Sequence, residues 1–159
     1  MEPYLYTTQL AVGYGGKPLI ENLCLHVRRG ELTTLIGPNG AGKSTILKTL
    51  ARQLEPMAGT VYLDKQLLGK MAEKELAQRL AIVTTERIDP ELMSCRDLVS
   101  TGRYPYTGRL GLLRAEDRAI VENALAQVHA GELAELPFSQ VSDGQRQRIL
   151  LARALCQEP

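Results

Sequence analysis

Short apolar runs broken by polar punctuation begin at the first residues of the chain. Residues 4–10 alternate loosely and predict a strand. Residues 11–18 are rich in glycine, contain Tyr14 and predict a turn. Leu23, Leu25 and Val27 fall on alternate positions, so residues 19–27 predict a second strand. Arg28-Arg29-Gly30 is a polar turn. It feeds Leu32-Thr33-Thr34-Leu35-Ile36, which predicts a short buried strand. Ile46, Leu47 and Leu50 then recur at helical spacing, and Thr60-Val61-Tyr62-Leu63 predicts a further strand closed by Asp64. This early run of strands predicts an antiparallel patch.

The pattern changes after residue 70. Residues 71–79 predict a helix, and Leu80-Ala81-Ile82-Val83 a short apolar strand entering the polar loop Thr84-Thr85-Glu86. Ser94 predicts an N-cap for a helix from Cys95, with Asp97 in its first turn and an end by Gly102. Residues 104–108, with two tyrosines and Pro105, predict a loop. Residues 115–128 predict a helix, with Glu116 and Asp117 early and Ile120, Val121, Leu125 and Val128 on one side. A connector broken by Pro137 leads to a last helix over residues 144–155, dense in Arg and Leu. There are no repeats, low-complexity tracts or obvious linkers.

Between the predicted strand at 32–36 and the helical pattern lies Gly37-Pro38-Asn39-Gly40-Ala41-Gly42-Lys43-Ser44-Thr45. A glycine, four free positions and Gly-Lys-Ser spell a phosphate-binding loop. Glycines there allow the backbone to turn successive N–H groups inward as an anion-binding nest. The helix that follows directs its positive end to the same point. Lys43 adds a mobile cation for the β- and γ-phosphates, and the Ser44 hydroxyl suits Mg²⁺. A glycine-rich turn ending in a surface lysine would not need the strand before it and the helix after it.

Composition narrows the picture. At 159 residues, 44% hydrophobic and 23% charged, the chain is one domain's worth and is expected to fold. A net charge of +1 gives no general attraction to nucleic acid. Cys24, Cys95 and Cys156 are scattered, which fits reduced thiols in a cytosolic protein. The start Met1-Glu2-Pro3 shows no signal-peptide pattern, and no apolar run is long enough to span a bilayer. Any membrane role is therefore expected to run through a partner.

A second stretch, Val141-Ser142-Asp143-Gly144-Gln145, opens the last helix. Ser142 is a good N-cap, so the positive helix end faces outward over Gly144 as a second anion-binding terminus. An ordinary capped basic helix would look the same if it stood alone. The two stretches together resemble the nucleotide-binding domain of ATP-binding-cassette proteins, whose signature is Leu-Ser-Gly-Gly-Gln. The resemblance runs from about Tyr4 to the end of the chain.

The resemblance implies an α/β phosphate-loop domain with a parallel core sheet, an antiparallel β subdomain and a helical subdomain. The core and β parts would fill residues 1–85, the helical subdomain 86–141 and the signature helix 142–156. It implies ATP and Mg²⁺ as ligands and Tyr14 as the aromatic that stacks on adenine. Two such domains would pair head to tail, with Ser142, Gly144 and Gln145 of one closing over ATP on the other's loop. Three departures are visible. Val141 replaces leucine, and Asp143 replaces the first signature glycine. The glutamine that helps hold Mg²⁺ and water is missing, and spacing puts Thr85 there, with Glu86 the chemically plausible substitute.

The family's strand ending in Asp-Glu and its switch histidine are expected beyond Pro159. Asp64 and Glu86 each follow an apolar strand, but both read as turn or loop carboxylates. Neither His26, in an early strand, nor His129, at a helix end, matches the switch. The stretch Gly102-Arg103-Tyr104-Pro105-Tyr106-Thr107-Gly108 is similar to a segment of importers for iron-siderophore, haem and cobalamin complexes. There it belongs to the helical subdomain that meets the membrane-spanning partner. The implied function is the ATPase subunit of a metal-chelate importer, a peripheral protein at the cytoplasmic membrane face bound to permease subunits. Two other readings stay open: a soluble cassette ATPase without a transporter, and a fragment that holds nucleotide without turnover.

Overall fold

A computed structural model describes residues 2–84, 88, 90, 92–108 and 111–159. The chain divides into two compact units, Met1–Ala72 and Glu73–Pro159.

The first unit is a five-stranded sheet with one helix. Strand β1 (Leu5–Tyr14) lies between β2 (Lys17–Leu23) and β4 (Ala58–Leu63), and β5 (Gln66–Leu67) extends the edge. The short β3 (His26–Val27) also pairs with β1, and all these pairings are antiparallel. Two tight hairpins set the registers. Gly15 and Gly16 join β1 to β2 with φ of 58° and 79°, and Asp64 and Lys65 join β4 to β5 with φ of 48° and 65°. Left-handed pairs of this kind match the twist of the strands they connect. Asp64 is thus a hairpin residue, as its context in the sequence suggested.

β1 alternates only loosely because it contains a bulge. Leu5 and Thr7 are buried before it, and Leu10 and Val12 after it. The irregularity falls between Thr8 and Ala11, where Gln9 takes φ of 47°. One extra residue moves the buried face from odd to even positions. Helix α1 (Lys43–Leu50) packs on β1 and buries Thr45, Ile46, Thr49 and Leu50.

Three expectations need correction. Tyr14 is the last residue of β1, not part of the turn, because the turn needs only the two glycines. Residues 32–36 form no strand, and Leu32 and Ile36 are 96% and 92% exposed. Residues 80–83 likewise form no strand. A strand exists only where a neighbour accepts and donates its backbone hydrogen bonds. Among the described residues no strand pairs with either segment.

The second unit is helical. It contains α2 (Glu73–Ala77), α3 (Cys95–Ser100), α4 (Ala115–Gln127) and α5 (Asp143–Cys156), with short 3₁₀ turns at Thr101–Arg103, Gly131–Leu133 and Phe138–Gln140. Helices α3, α4 and α5 enclose a core that includes Val99, Val121, Leu125, Phe138, Ile149 and Ala152. Val121 and Leu125 of α4 face this core, and Ile120 packs at its margin, as the spacing predicts. Ser94 caps α3 in a capping box: its Oγ accepts from the Asp97 N–H at 3.1 Å, and Asp97 Oδ2 accepts the Ser94 N–H at 3.1 Å. Among the described residues no helix is long and apolar enough to cross a membrane.

Candidate functional site

The loop 37–42 enters α1 through Gly42, the N-cap, at φ of 87°. No side chain caps this helix end, so its first N–H groups face the loop. Gly40 also takes a left-handed φ, of 81°. A side chain at position 42 would be strained by that φ, and its Cβ would lie 2.9 Å from Ile20 Cδ1. Ile20 belongs to β2, so the hairpin carrying Tyr14 runs close to the loop at Gly42. Tyr14 itself is 53% exposed.

Lys43 is the first residue of α1 and folds back over the loop. Its Nζ donates to the carbonyl oxygens of Gly37 at 2.8 Å and Pro38 at 2.7 Å. The cation is therefore held on the backbone of the loop. Asn39, Ala41 and Ser44 are exposed, whereas Thr45 is buried under the helix. The arrangement offers the uncapped start of α1, one ammonium and one exposed hydroxyl oxygen, a set that suits a phosphate chain with a divalent cation, while the Ala41 N–H is held by the Pro38 carbonyl at 3.3 Å.

The start of α5 is the second expected terminus. Ser142 Oγ accepts the Gln145 N–H at 3.4 Å, and Gln145 Oε1 accepts the Ser142 N–H at 2.8 Å. This capping box commits the amide oxygen of Gln145 to the helix itself. Gly144 is exposed, and a Cβ there would meet nothing within 4 Å. The helix arginines are committed as well: Arg146 donates to the carbonyls of Val141 and Ser139, Arg148 to that of His129, and Arg153 to Thr101 Oγ1.

Thr85 and Glu86, the two candidates for the missing glutamine, lie outside the described residues. Among the described residues no group of three or more His, Cys, Asp or Glu side chains could hold a metal ion.

Sequence reading missed a buried hub in the second unit. Arg103, only 5% exposed, donates from Nε to Asp117 at 2.9 Å and from Nη1 to Glu158 at 2.8 Å and the Cys156 carbonyl at 3.0 Å. Its guanidinium lies 3.9 Å above the Tyr106 ring. The Arg114 N–H, held by Asp117 Oδ2 at 3.0 Å, keeps the Asp117 carboxyl below the usual carboxylate range against the cost of burial, and the Arg103 guanidinium adds to this. Burial pushes the Tyr106 hydroxyl up, so it stays a donor, to the Gln157 carbonyl at 2.9 Å. Nothing in the sequence pairs Arg103 with residues from two different helices; only the packing does.

Residues 20–159 match the family model for the ABC transporter family. An ABC transporter ATP-binding protein of Methanocaldococcus jannaschii is 46% identical over 98% of this chain and 53% of its own length. The iron(3+)-hydroxamate import ATP-binding protein of Bacillus subtilis is 44% identical over 96% of this chain and 57% of its own. A solved structure of an ATP-binding subunit of an ABC transporter superposes with a TM-score of 0.83 at 26% identity, covering 98% of this chain and 63% of that one. The chain thus spans about half the length of the curated relatives it matches.

Proposed function

Because the chain belongs to the ABC transporter family, we propose that it is the nucleotide-binding part of an ATP-driven importer of metal chelates. The observation that carries this is the loop itself: left-handed Gly40 and Gly42 opening an uncapped helix under Lys43. The 44% identity to a protein named for iron(3+)-hydroxamate import supports the cargo class. So does the likeness of residues 102–108 to the metal-chelate branch.

ATP enters with its phosphates against the N–H groups of residues 40–45. Lys43 exchanges two neutral carbonyl acceptors for phosphate oxygens. Charge-assisted hydrogen bonds are the stronger kind, so this exchange is favourable. Tyr14 stacks on the adenine. Ser44, exposed in the first turn of α1, is the residue that would hold Mg²⁺. A bound Mg²⁺ supplies charge neutralisation at the phosphates. Two copies pair head to tail, and the α5 start of one (Ser142, Gly144 and Gln145) closes over the nucleotide on the other. Thr85 or Glu86 orients the attacking water. The subunit sits at the cytoplasmic face of the membrane through permease subunits, and a net charge of +1 gives it no general electrostatic attraction to nucleic acid.

The test is ATP-dependent uptake of a ferric hydroxamate by vesicles holding the full-length protein with its membrane-spanning partner. Uptake that needs ATP is the expected result. ATP binding with no copurifying membrane subunit and no uptake would overturn the importer in favour of a soluble cassette ATPase.

A further inference from the structure

Helix α1 ends in a Schellman turn. The Arg52 N–H donates to the Thr49 carbonyl at 3.0 Å and the Gln53 N–H to the Lys48 carbonyl at 2.8 Å. The residue just past the cap of such a turn takes a left-handed backbone and is usually glycine. Here it is Arg52, at φ of 56°. The guanidinium that this backbone carries is pinned by one nitrogen. Its Nη1 donates to the carbonyls of Leu68 at 3.3 Å and Met71 at 2.5 Å. Among the described residues, its Nε and Nη2 have no hydrogen-bond partner and it forms no ion pair. No buried side-chain nitrogen among the described residues lacks a partner, so these two are reached by solvent.

Arg52 also lines a cleft of about 160 Å³ between the end of α1 and strands β4 and β5. Val61, Leu67 and Leu68 form its apolar wall, and Thr49 spends its hydroxyl on the Thr45 carbonyl at 2.9 Å. An apolar cavity of roughly 150 Å³ holds one benzene ring. Glu55 is the carboxylate on the wall, but it is exposed and makes no ion pair with Arg52. A half-buried cation without a counter-charge, set against apolar side chains, selects an anion that brings its own apolar body. The edge of a guanidinium formed by Nε and Nη2 matches the two oxygens of a carboxylate.

We infer that this cleft binds a small monocarboxylate with a compact apolar body, an aryl or branched aliphatic acid. Arg52 Nε and Nη2 hold the carboxylate, and the body lies against Val61, Leu67 and Leu68. The site lies within the first unit and shares no residue with the loop at 37–45. It needs neither nucleotide nor the importer function for its test. A ligand there touches the C-terminal end of α1, whose first residue is Lys43. It ties that end to β4 and β5, and so raises the melting temperature as any ligand of the folded state does. The Glu55 carboxylate opposes it by charge.

The experiment titrates the full-length protein with benzoate and reads its methyl NMR signals, with benzamide as the neutral analogue of the same shape. Benzoate is expected to shift the Val61, Leu67 and Leu68 methyls with a Kd of about 1 mM. Ile46, three positions after Lys43, is expected to stay unmoved. Benzamide lacks the charge-assisted pair and is expected to bind at least about tenfold more weakly. Arg52→Gly suits the left-handed backbone, so it keeps the helix end, and it is expected to lose about the same tenfold for benzoate. Glu55→Gln removes the opposing charge and is expected to tighten benzoate by about twofold. Shifts at Ile46 alone would put the anion at the loop and overturn the cleft. Equal binding of benzoate and benzamide would overturn the carboxylate site, as would wild-type affinity in a cooperatively melting Arg52→Gly. No shift at the cleft methyls at about ten times the expected Kd would overturn it too, leaving Arg52 a tie between backbone segments.

Discussion

Lys43 lies on the carbonyls of its own loop, at 2.8 and 2.7 Å, so the ammonium is already placed where phosphate oxygens are expected. Lys43→Ala removes the only side-chain cation in the loop, residues 37–45. A hydrogen bond to a charged group contributes about 1.5–3 kcal/mol, so calorimetry should show MgATP affinity falling at least about tenfold. Unchanged affinity would sink the assignment of the loop. Tyr14 calls for a different test. Stacking needs a ring face and not a hydroxyl, so Tyr14→Ala should weaken ATP binding by about 1–3 kcal/mol while Tyr14→Phe and Tyr14→Trp keep it. Equal affinities across the three variants would exclude stacking. The thiols are sorted by burial. Cys156 is pushed up to about 11 and Cys95 is raised, both by burial, while Cys24 is exposed. Maleimide at neutral pH should therefore label Cys24 in the folded chain and leave the other two, as peptide mass mapping would read directly.

At the scale of elements, the helical unit depends on its caps and on one close approach. Ser142→Ala removes the acceptor for the Gln145 N–H and should destabilise by about 1 kcal/mol. Gly102→Ala should cost more, about 1–3 kcal/mol, because its Cβ would meet the Arg153 carbonyl at 2.5 Å and backbone must shift. Denaturant melts of the two variants give that order; the reverse order would mean that α5 and the turn are not packed as described. Asp117 adds a pH dependence. Its carboxyl is held below the ordinary carboxylate range by the Arg114 N–H and then by Arg103. A lowered folded value contributes stability that is fully present above the unfolded pKa, near 4, and is lost as pH falls through the lowered one. The difference in stability between wild type and Asp117→Asn should therefore be constant above about pH 5 and shrink below about pH 4. A difference that persists unchanged into strong acid would show that the ionised carboxylate is not what matters.

The whole chain carries apolar side chains that its described residues leave uncovered. Leu32 and Ile36 are more than nine-tenths exposed, on a segment whose pattern is that of a buried strand. The 159-residue chain alone is therefore expected to bind hydrophobic dye, to scatter light on warming and to melt without one sharp transition. A single sharp transition without dye binding would show that these side chains are covered in the folded chain.

What could be read from the sequence alone was local. The phosphate loop was legible because glycine spacing, a lysine and a switch to helical period are all written within fourteen consecutive positions, 37–50. The caps at Ser94 and Ser142 were legible for the same reason, since a capping box spans only four residues. The bulge at Gln9, which reverses the buried face of β1, was not, because its place depends on β4 across the sheet. Nor was the Arg103 hub, whose partners Asp117, Cys156 and Glu158 lie 14, 53 and 55 positions away. Residues 32–36 and 80–83 show the limit from the other side. Their apolar patterns are those of strands, yet a strand is a property of a pair, and only tertiary structure decides whether the pairing partner is there.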